Sequence, residues 1–199
     1  MSTATRARRI GVYGGTFDPI HLGHLHAVEQ VLQAYALDIV LFVPTGESWQ
    51  KEGVSPADDR LAMVELAVQG HPSFEVSRVD VDRSGSTYTV QTLEDLRQQN
   101  PDSELFFILG NDAYAGIESW KDAARLTDLA QLVVMVRADR PEGGGFPAKP
   151  RVNLFQIAAR PISATDVRQR VRDGESIAGL VPEAVEHYIQ KHNLYGASA

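Results

Sequence analysis

The sequence predicts an α/β fold: a Rossmann-like open parallel sheet flanked by helices, with a small C-terminal helical part. Three apolar runs, at 39–43, 105–109 and 132–136, are continuous rather than alternating, which is typical of strands buried on both faces. Segments with apolar residues three and four apart, the helical spacing, lie elsewhere in the chain. Near the N-terminus, strand, helix and strand follow one another within about 35 residues, which predicts a right-handed βαβ unit.

Length and composition fit one domain. The 199 residues allow one sizeable core, so we expect a single domain over 1–199 with a C-terminal helical segment at about 162–195. The apolar share of 43% and the charged share of 23% are ordinary for a globular protein. Residues 1–8 contain no apolar stretch, so we expect no signal peptide, and no apolar run approaches the length of a membrane span.

The net charge of −7 and the absence of cysteine narrow the function classes. An acidic chain does not suit a nucleic-acid binder with a broad basic face, but it can still hold a locally basic pocket for a phosphorylated small molecule. Without cysteine there are no disulfides, thiolate nucleophiles or cysteine metal sites. We therefore expect a cytoplasmic protein with no nucleic-acid or membrane partner, and a homo-oligomer stays open.

The first strand and the first helix enclose a glycine-rich turn. β-branched residues predict the strand at 9–13, and apolar spacing predicts the helix at about 22–35. Gly14 and Gly15 break the strand, and their backbone amides can approach a ligand closely because glycine has no Cβ. The helix start should add unpaired N–H groups and the positive end of the helix dipole, which suit a phosphate.

Two histidines occupy the first turn of this helix. His21 and His24 are three residues apart, so we expect them on one face. Gly23 between them leaves a flat place for a base or a ribose. A histidine-bound metal is the alternative, since His26 is near, but neither an H-E-x-x-H pattern nor a cysteine supports it. We predict no metal site on the protein.

The middle of the chain should alternate between helices and strands. Ser55 is expected to cap the second helix, with Pro56 at its first position. Alternating apolar residues predict a strand near a sheet edge over 74–81. A helix follows at about 88–99, and we expect small hydroxyls of segment 86–89 to cap it.

Polar residues follow the apolar strand at 105–109. Gly110, Asn111 and Asp112 should lie at the carboxyl edge of the sheet, where ligands of parallel sheets bind. A structural turn is the alternative interpretation of Asp112. Trp120 comes shortly afterwards, and a tryptophan at such a position is more often part of the core than a ligand contact.

The last third of the chain should hold a short strand and two helices. The strand is predicted at 152–157, after a polar, glycine-rich stretch at 137–150 that we interpret as a surface loop. Pro182 should start the last helix, at about 182–192.

The helix before it carries a capping signal and several arginines. Ser163 is placed to cap this helix, with Asp166 three residues on and Gly174 just after the helix end at Asp173. A capped amphipathic helix with solvated arginines is the plain interpretation of this segment.

These segments together resemble a known family. The run G-G-T-F-D-P at 14–19, followed by H-L-G-H at 21–24, resembles the signature of the H-x-G-H nucleotidyltransferases, and most of all the bacterial nicotinate-mononucleotide adenylyltransferases. The resemblance extends from about Arg9 to Tyr195. It implies adenylyl transfer from ATP, which carries Mg²⁺, to nicotinate mononucleotide. The products would be nicotinate adenine dinucleotide and pyrophosphate, in NAD biosynthesis.

The resemblance also implies roles for individual residues. The catalytic residues would be His21, His24, Lys51 and Arg168. The residues that bind ATP would be Gly14, Gly15, Thr16, Phe17, Gly23, Gly110, Asp112, Ile162, Ser163 and Thr165. The nicotinate nucleotide would contact Tyr88, Thr89, Trp120 and Lys121. In the family an aromatic residue at the position of Trp120 stacks on the pyridine ring, and the next backbone amide meets the carboxylate.

Two positions depart from the usual family pattern. The loop at 45–53 carries S-W-Q-K where the family has a Pro-Pro-His-Lys-like sequence, so Lys51 is kept while Trp49 either packs back or closes over the substrates. Ala164 stands where many relatives have serine, which removes one hydroxyl donor.

Two other functions stay open at this point. The same chemistry can serve another phosphorylated acceptor, such as nicotinamide mononucleotide or phosphopantetheine. The chain can also be an ATP-binding sensor that catalyses no reaction.

Overall fold

A computed structural model describes residues 6–46, 53–137 and 150–196. The strands are β1 Arg8–Gly15, β2 Ile39–Pro44, β3 Phe74–Val76, β4 Ser103–Gly110, β5 Gln131–Arg137 and β6 Val152–Ile157. The α-helices are α1 Leu22–Ala34, α2 Ala57–Val68, α3 Thr89–Gln99, α4 Asn111–Ala115, α5 Leu126–Leu129, α6 Ala164–Arg172 and α7 Glu183–Lys191. Two short 3-10 helices, Ile117–Ser119 and Ala123–Arg125, connect α4 to α5.

The six strands form one parallel sheet in the order β3-β2-β1-β4-β5-β6. The chain moves outward from β1 to β3 and then returns to the other side of β1 with β4. Ligands of such sheets bind in the crevice outside the carboxyl ends of the strands, where the strand order reverses. The predicted Rossmann-like open parallel sheet is confirmed, and its crevice lies between β1 and β4.

Apolar side chains fill both faces of the sheet. Successive residues of β1 point to opposite faces, so Tyr13 joins one buried cluster and Val12 joins the other. The Tyr13 cluster includes Val28 of α1 and Val185 of α7, and the Val12 cluster includes Leu93 of α3. The C-terminal helix therefore packs on the same face as the first one. None of the helices in the described ranges is long and apolar enough to cross a membrane.

Several predicted element ends are confirmed. The last strand has the predicted bounds, and the second half of the sheet follows the apolar runs closely. Ser163 caps α6, since its Oγ accepts the Asp166 N–H at 3.1 Å. Gly174 follows the helix with φ 70°, in the left-handed region where glycine is favoured.

Three local predictions are wrong. Pro56, not Ser55, is the N-cap of α2, and the Ser55 N–H instead donates to Asp18 Oδ2 at 3.1 Å. The N-cap of α3 is Tyr88 rather than a residue with a small hydroxyl, and the Tyr88 side chain makes no capping hydrogen bond.

The strand expected over 74–81 ends at Val76, because the chain turns away there towards the site. Asp80 is then held by Thr92 Oγ1 at 2.6 Å and by Arg83 Nη1 at 3.0 Å. The strand nevertheless lies at an edge of the sheet, as predicted.

Candidate active site

A cleft follows the carboxyl ends of β1 and β4 and consists of three adjacent cavities. Cavity 1, of about 260 Å³, lies between the β1 turn and the start of α3. Cavity 2, of about 540 Å³, lies between the β1 turn and the start of α6. Cavity 3, of about 170 Å³, lies between the start of α1 and the end of β4. Gly15 and Trp120 line both cavities 1 and 2, and His24 and Gly110 line both cavities 2 and 3.

Cavity 1 collects every residue that the family resemblance assigned to the nicotinate nucleotide. These residues are Tyr88, Thr89, Trp120 and Lys121. The Lys121 Nζ lies 4.4 Å from the centre of the Tyr88 ring, a cation–π contact at the side of the cavity. Trp120 packs edge-on against Phe107, with ring centres 6.3 Å apart, and also lines the cavity. Its core and ligand interpretations are therefore compatible.

A buried carboxyl group that the sequence did not reveal also lines cavity 1. Asp80 accepts hydrogen bonds from Thr92 and Arg83, and burial raises the pKa of its carboxyl above the usual value. Its backbone carbonyl lies against Gly46, where an added Cβ would stand 2.2 Å from that oxygen. Only glycine fits at this point, so the contact fixes one end of the loop that begins at Thr45.

Cavities 2 and 3 collect most of the residues assigned to ATP and catalysis. Those lining cavity 2 are Gly14, Gly15, Thr16, Phe17, His24, Gly110, Thr165 and Arg168. Those lining cavity 3 are His21, Gly23, His24, Gly110, Asp112 and Ile162. Ser163 lines none of the three cavities, and its oxygen is engaged in capping α6. Lys51 and Trp49 lie outside the described residues, so their predicted roles stay predictions.

The two histidines cap α1 through each other. His21 is the N-cap, and its Nδ1 accepts the His24 N–H at 3.3 Å, while His24 Nδ1 accepts the His21 N–H at 3.2 Å. The rings stack with centres 3.6 Å apart. An added Cβ on Gly23 would come within 2.9 Å of the His21 ring, so glycine is needed here.

This capping fixes the chemistry of both rings. Because each Nδ1 accepts a hydrogen bond, the neutral ring carries its proton on Nε2, so Nε2–H is the donor of each ring. Burial lowers the pKa of His21 to about 4, so this ring is neutral at pH 7.

The expectation of several unpaired amides at the start of α1 is wrong. The Leu22 N–H donates to Leu180 O at 2.9 Å, and the His24 N–H is taken by His21. Among the first three amides of the helix, that of Gly23 alone has no acceptor within the described chain.

The start of α6 is more open. Ser163 takes the Asp166 N–H, but the amides of Ala164 and Thr165 have no acceptor in the parts of the chain that the structure covers, and both residues line cavity 2. Arg168 lies one turn later, half-buried, and donates from Nη1 to Asp18 O at 2.6 Å and from Nη2 to Thr165 Oγ1 at 3.3 Å. Backbone donors and a fixed guanidinium thus face the same cavity.

A buried arginine ties the loops under the cleft together. The Arg60 side chain is 2% exposed. It donates to the carbonyl oxygens of Ser55 at 2.9 Å, Thr16 at 2.9 Å and Gly46 at 2.8 Å. These bonds connect the β1 turn with the residues that precede and follow segment 47–52. The sequence analysis missed Arg60, although its position four residues before Val64 placed it on the inner face of α2.

The described residues of the cleft form no cluster of side chains that could enclose a metal ion. Within 6–46, 53–137 and 150–196, no three His, Asp or Glu side chains are close enough to hold an ion together.

Comparison with known proteins identifies the family to which the chain belongs. A family model described as cytidylyltransferase-like matches residues 12–170. A probable nicotinate-nucleotide adenylyltransferase of Clavibacter sepedonicus is 50% identical over 198 residues, which is 98% of each chain. A protein of the same description from Leifsonia xyli subsp. xyli is 50% identical over 192 residues, 96% of each chain.

A solved structure has the same fold. It is a Plasmodium falciparum nicotinic acid mononucleotide adenylyltransferase complexed with NaAD, with a TM-score of 0.76 at 20% identity, and the match covers 94% of this chain and 97% of that one. The family model covers most of the chain, and the two bacterial relatives align over nearly all of it. The chain therefore belongs to the cytidylyltransferase-like family and, within it, to the nicotinate-nucleotide adenylyltransferases.

Proposed function

We propose that this protein transfers the adenylyl group of ATP to nicotinate mononucleotide, which yields nicotinate adenine dinucleotide and pyrophosphate in NAD biosynthesis. The observation that carries the proposal is the order of the three cavities. An aromatic cavity with a lysine lies on one side, a cavity beside His21 and Gly23 on the other, and the cavity with Arg168 and the α6 amides lies between them. The names of the two bacterial relatives support the same reaction.

The reaction itself needs little proton chemistry. A phosphate oxygen of nicotinate mononucleotide attacks the α-phosphorus of ATP, an O–P bond forms, and the bond to the bridging oxygen of pyrophosphate breaks. A phosphate monoester is already largely ionised near pH 7, so no general base is required. The task of the protein is to align two anions that repel each other, and such alignment can supply about 7–11 kcal/mol.

The cleft offers donors for the charge that develops during transfer. We assign the α-phosphate to the Nε2–H groups of His21 and His24 and to the Gly23 amide. The β- and γ-phosphates are assigned to the α6 amides and Arg168, with Lys51 as an added cation from the loop. Preorganised donors of this kind are worth about 2.7–4 kcal/mol each in other enzymes. Mg²⁺ enters with ATP and neutralises its phosphate oxygens.

The acceptor assignment rests on cavity 1. Trp120 offers a ring for stacking, and Lys121 carries a positive charge beside Tyr88, which favours a carboxylated pyridine over an amide. Thr89 and the Lys121 backbone amide are the proposed contacts of the carboxylate. The side chains that line this cavity therefore favour nicotinate over nicotinamide.

A product assay tests the function. Purified protein is mixed with magnesium and ATP and with nicotinate mononucleotide, nicotinamide mononucleotide or phosphopantetheine, and pyrophosphate and dinucleotide are measured. We expect the highest kcat/KM with nicotinate mononucleotide. Equal rates with the two pyridine nucleotides would contradict the carboxylate assignment. ATP binding without pyrophosphate release in the presence of any of the three acceptors would indicate a sensor instead.

A further inference from the structure

The C-terminal end of the described chain reaches the underside of cavity 2. Tyr195 follows α7, and its hydroxyl donates to Asp18 Oδ1 at 2.6 Å and lies 3.9 Å from Met63 Sδ. Burial, and then the bond to Asp18, raise the pKa of the Tyr195 hydroxyl above its usual range. The hydroxyl therefore keeps its proton and acts as a donor throughout the working pH range. Tyr195 is not among the residues that line the three cavities.

Asp18 connects Tyr195 to Arg168, which lines cavity 2. Asp18 is 6% exposed, and its side-chain oxygens accept Tyr195 OH and the Ser55 N–H. Its backbone oxygen accepts the Arg168 guanidinium at 2.6 Å. One residue of the β1 turn thus binds the C-terminal segment with its side chain and the α6 arginine with its backbone.

We infer that Tyr195 is a positioning residue for cavity 2, which acts through Asp18 to hold the carbonyl oxygen that orients Arg168. The inference rests on the proposed function, because that function gives cavity 2 the triphosphate of ATP. A guanidinium held in place before the ligand arrives costs no reorganisation when it binds. If Asp18 loses its tyrosine partner, its backbone is less restrained and Arg168 is less well placed.

The chain offers a matched control in Tyr188. Its hydroxyl also joins the C-terminal part of the chain to a carboxylate of an earlier segment, here Asp59 Oδ1 at 2.9 Å. Burial, followed by the bond to Asp59, raises the pKa of Tyr188 to about 12, so this hydroxyl is also a donor. Neither Tyr188 nor Asp59 lines any of the three cavities. Tyr188→Phe therefore removes a bond of the same kind away from the cleft.

The experiment compares wild type, Tyr195→Phe and Tyr188→Phe. Steady-state kinetics with magnesium, ATP and nicotinate mononucleotide are combined with calorimetric titration of ATP and with urea unfolding. We expect Tyr195→Phe to lower kcat/KM for ATP and to raise its Kd, each by about tenfold, less than the hundredfold that a misplacement of about 1 Å can cause. The KM for nicotinate mononucleotide should not change, because cavity 1 is outside the network. Tyr188→Phe should stay within about twofold of wild type in each quantity.

A double variant tests whether Tyr195 acts through Arg168. In Arg168→Ala, Tyr195→Phe should cause no further loss, because two changes that act through one group are not additive. Equal effects of the two tyrosine variants, or a full Tyr195→Phe effect in the Arg168→Ala background, would overturn the inference. If wild type forms no dinucleotide, the proposed function fails, but the ATP titrations still decide the role of Tyr195.

Discussion

The N-termini of α1 and α6 both face the cleft, but they differ in whether their first backbone amides are already hydrogen-bonded. The α1 start is closed by its own histidines and by Leu180 O. The α6 start keeps two amides open towards cavity 2 and adds Arg168. The α1 start presents imidazole Nε2–H groups, whereas the α6 start presents backbone N–H groups. A helix start is thus a backbone anion site only where its own side chains leave the amides uncapped.

We expect the largest loss of activity at the start of α1, where the histidines cap the helix. His24→Ala removes the Nε2–H donor and one half of the reciprocal cap, so we expect kcat/KM to fall by at least about a hundredfold, the scale of losing one key donor. The fold should persist, as circular dichroism and urea unfolding can show. His26→Ala is the control, since His26 is on the same helix but lines none of the cavities. Near-normal turnover of His24→Ala would contradict the assignment of His24 as a donor to the α-phosphate.

The pH dependence of stability tests the neutral state of His21. Its pKa is near 6.5 in the unfolded chain and about 4 in the folded one, so the unfolded state binds more protons between these values. Stability should therefore fall as pH drops from 6.5 to 4, by about 3 kcal/mol from this group alone. His21→Asn keeps a capping residue without a titrating ring.

Urea unfolding of both proteins across this range measures the difference. The wild-type curve should lose stability more steeply on acidification than the His21→Asn curve. Parallel curves would show that His21 is not held neutral by burial.

At the open start, Arg168→Lys keeps the charge but loses the guanidinium that bonds Asp18 O and Thr165 Oγ1 together. We expect kcat/KM for ATP to fall by about tenfold, because a single ammonium cannot reproduce a planar fork. Arg172→Lys on the same helix should have no effect, since Arg172 is exposed and bonds Gln169. Steady-state kinetics with varied ATP measure the change, and equal values for the two variants would count against a specific Arg168 contact.

The smallest effect concerns a single amide. Ala164→Pro removes the N–H at the first position of α6, where proline is well tolerated and the preceding Ser163 is already extended. We expect the Kd for ATP to rise about fivefold, the value of one modest hydrogen bond, with no loss of stability. Ala57→Pro makes the same change at the first position of α2, away from the cavities. If ATP affinity is the same in both variants, the α6 amides do not bind phosphate.

The parts of the fold that the sequence predicted are those with local or repetitive signals. Continuous apolar runs marked the central strands because both faces of a parallel sheet are covered. Ser163 and Gly174 marked the two ends of α6 because capping depends on neighbours within a few residues. The family motifs grouped the cavity 1 residues, although Tyr88 and Trp120 are far apart in sequence.

The parts that could not be predicted depend on distant partners. The bonds of Arg60 go to the carbonyl oxygens of Thr16 in the β1 turn and of Gly46 and Ser55 on either side of 47–52, and nothing local in α2 shows that they converge. Pro56 takes the capping position predicted for Ser55, and the Ser55 amide instead donates to Asp18, 37 residues earlier. The mutual capping of His21 and His24 needs two ring orientations that the surrounding packing selects. Helix spacing could place the rings on one face but could not show that they bond.

The central claim is that the α1 and α6 starts act on the same triphosphate, and a crystal structure with magnesium and a non-hydrolysable ATP analogue tests it most directly. We predict hydrogen bonds of about 2.7–3.2 Å from His24 Nε2 to the α-phosphate, and from the Ala164 and Thr165 amides and Arg168 to the other phosphates. A triphosphate bound away from either helix start would contradict the account.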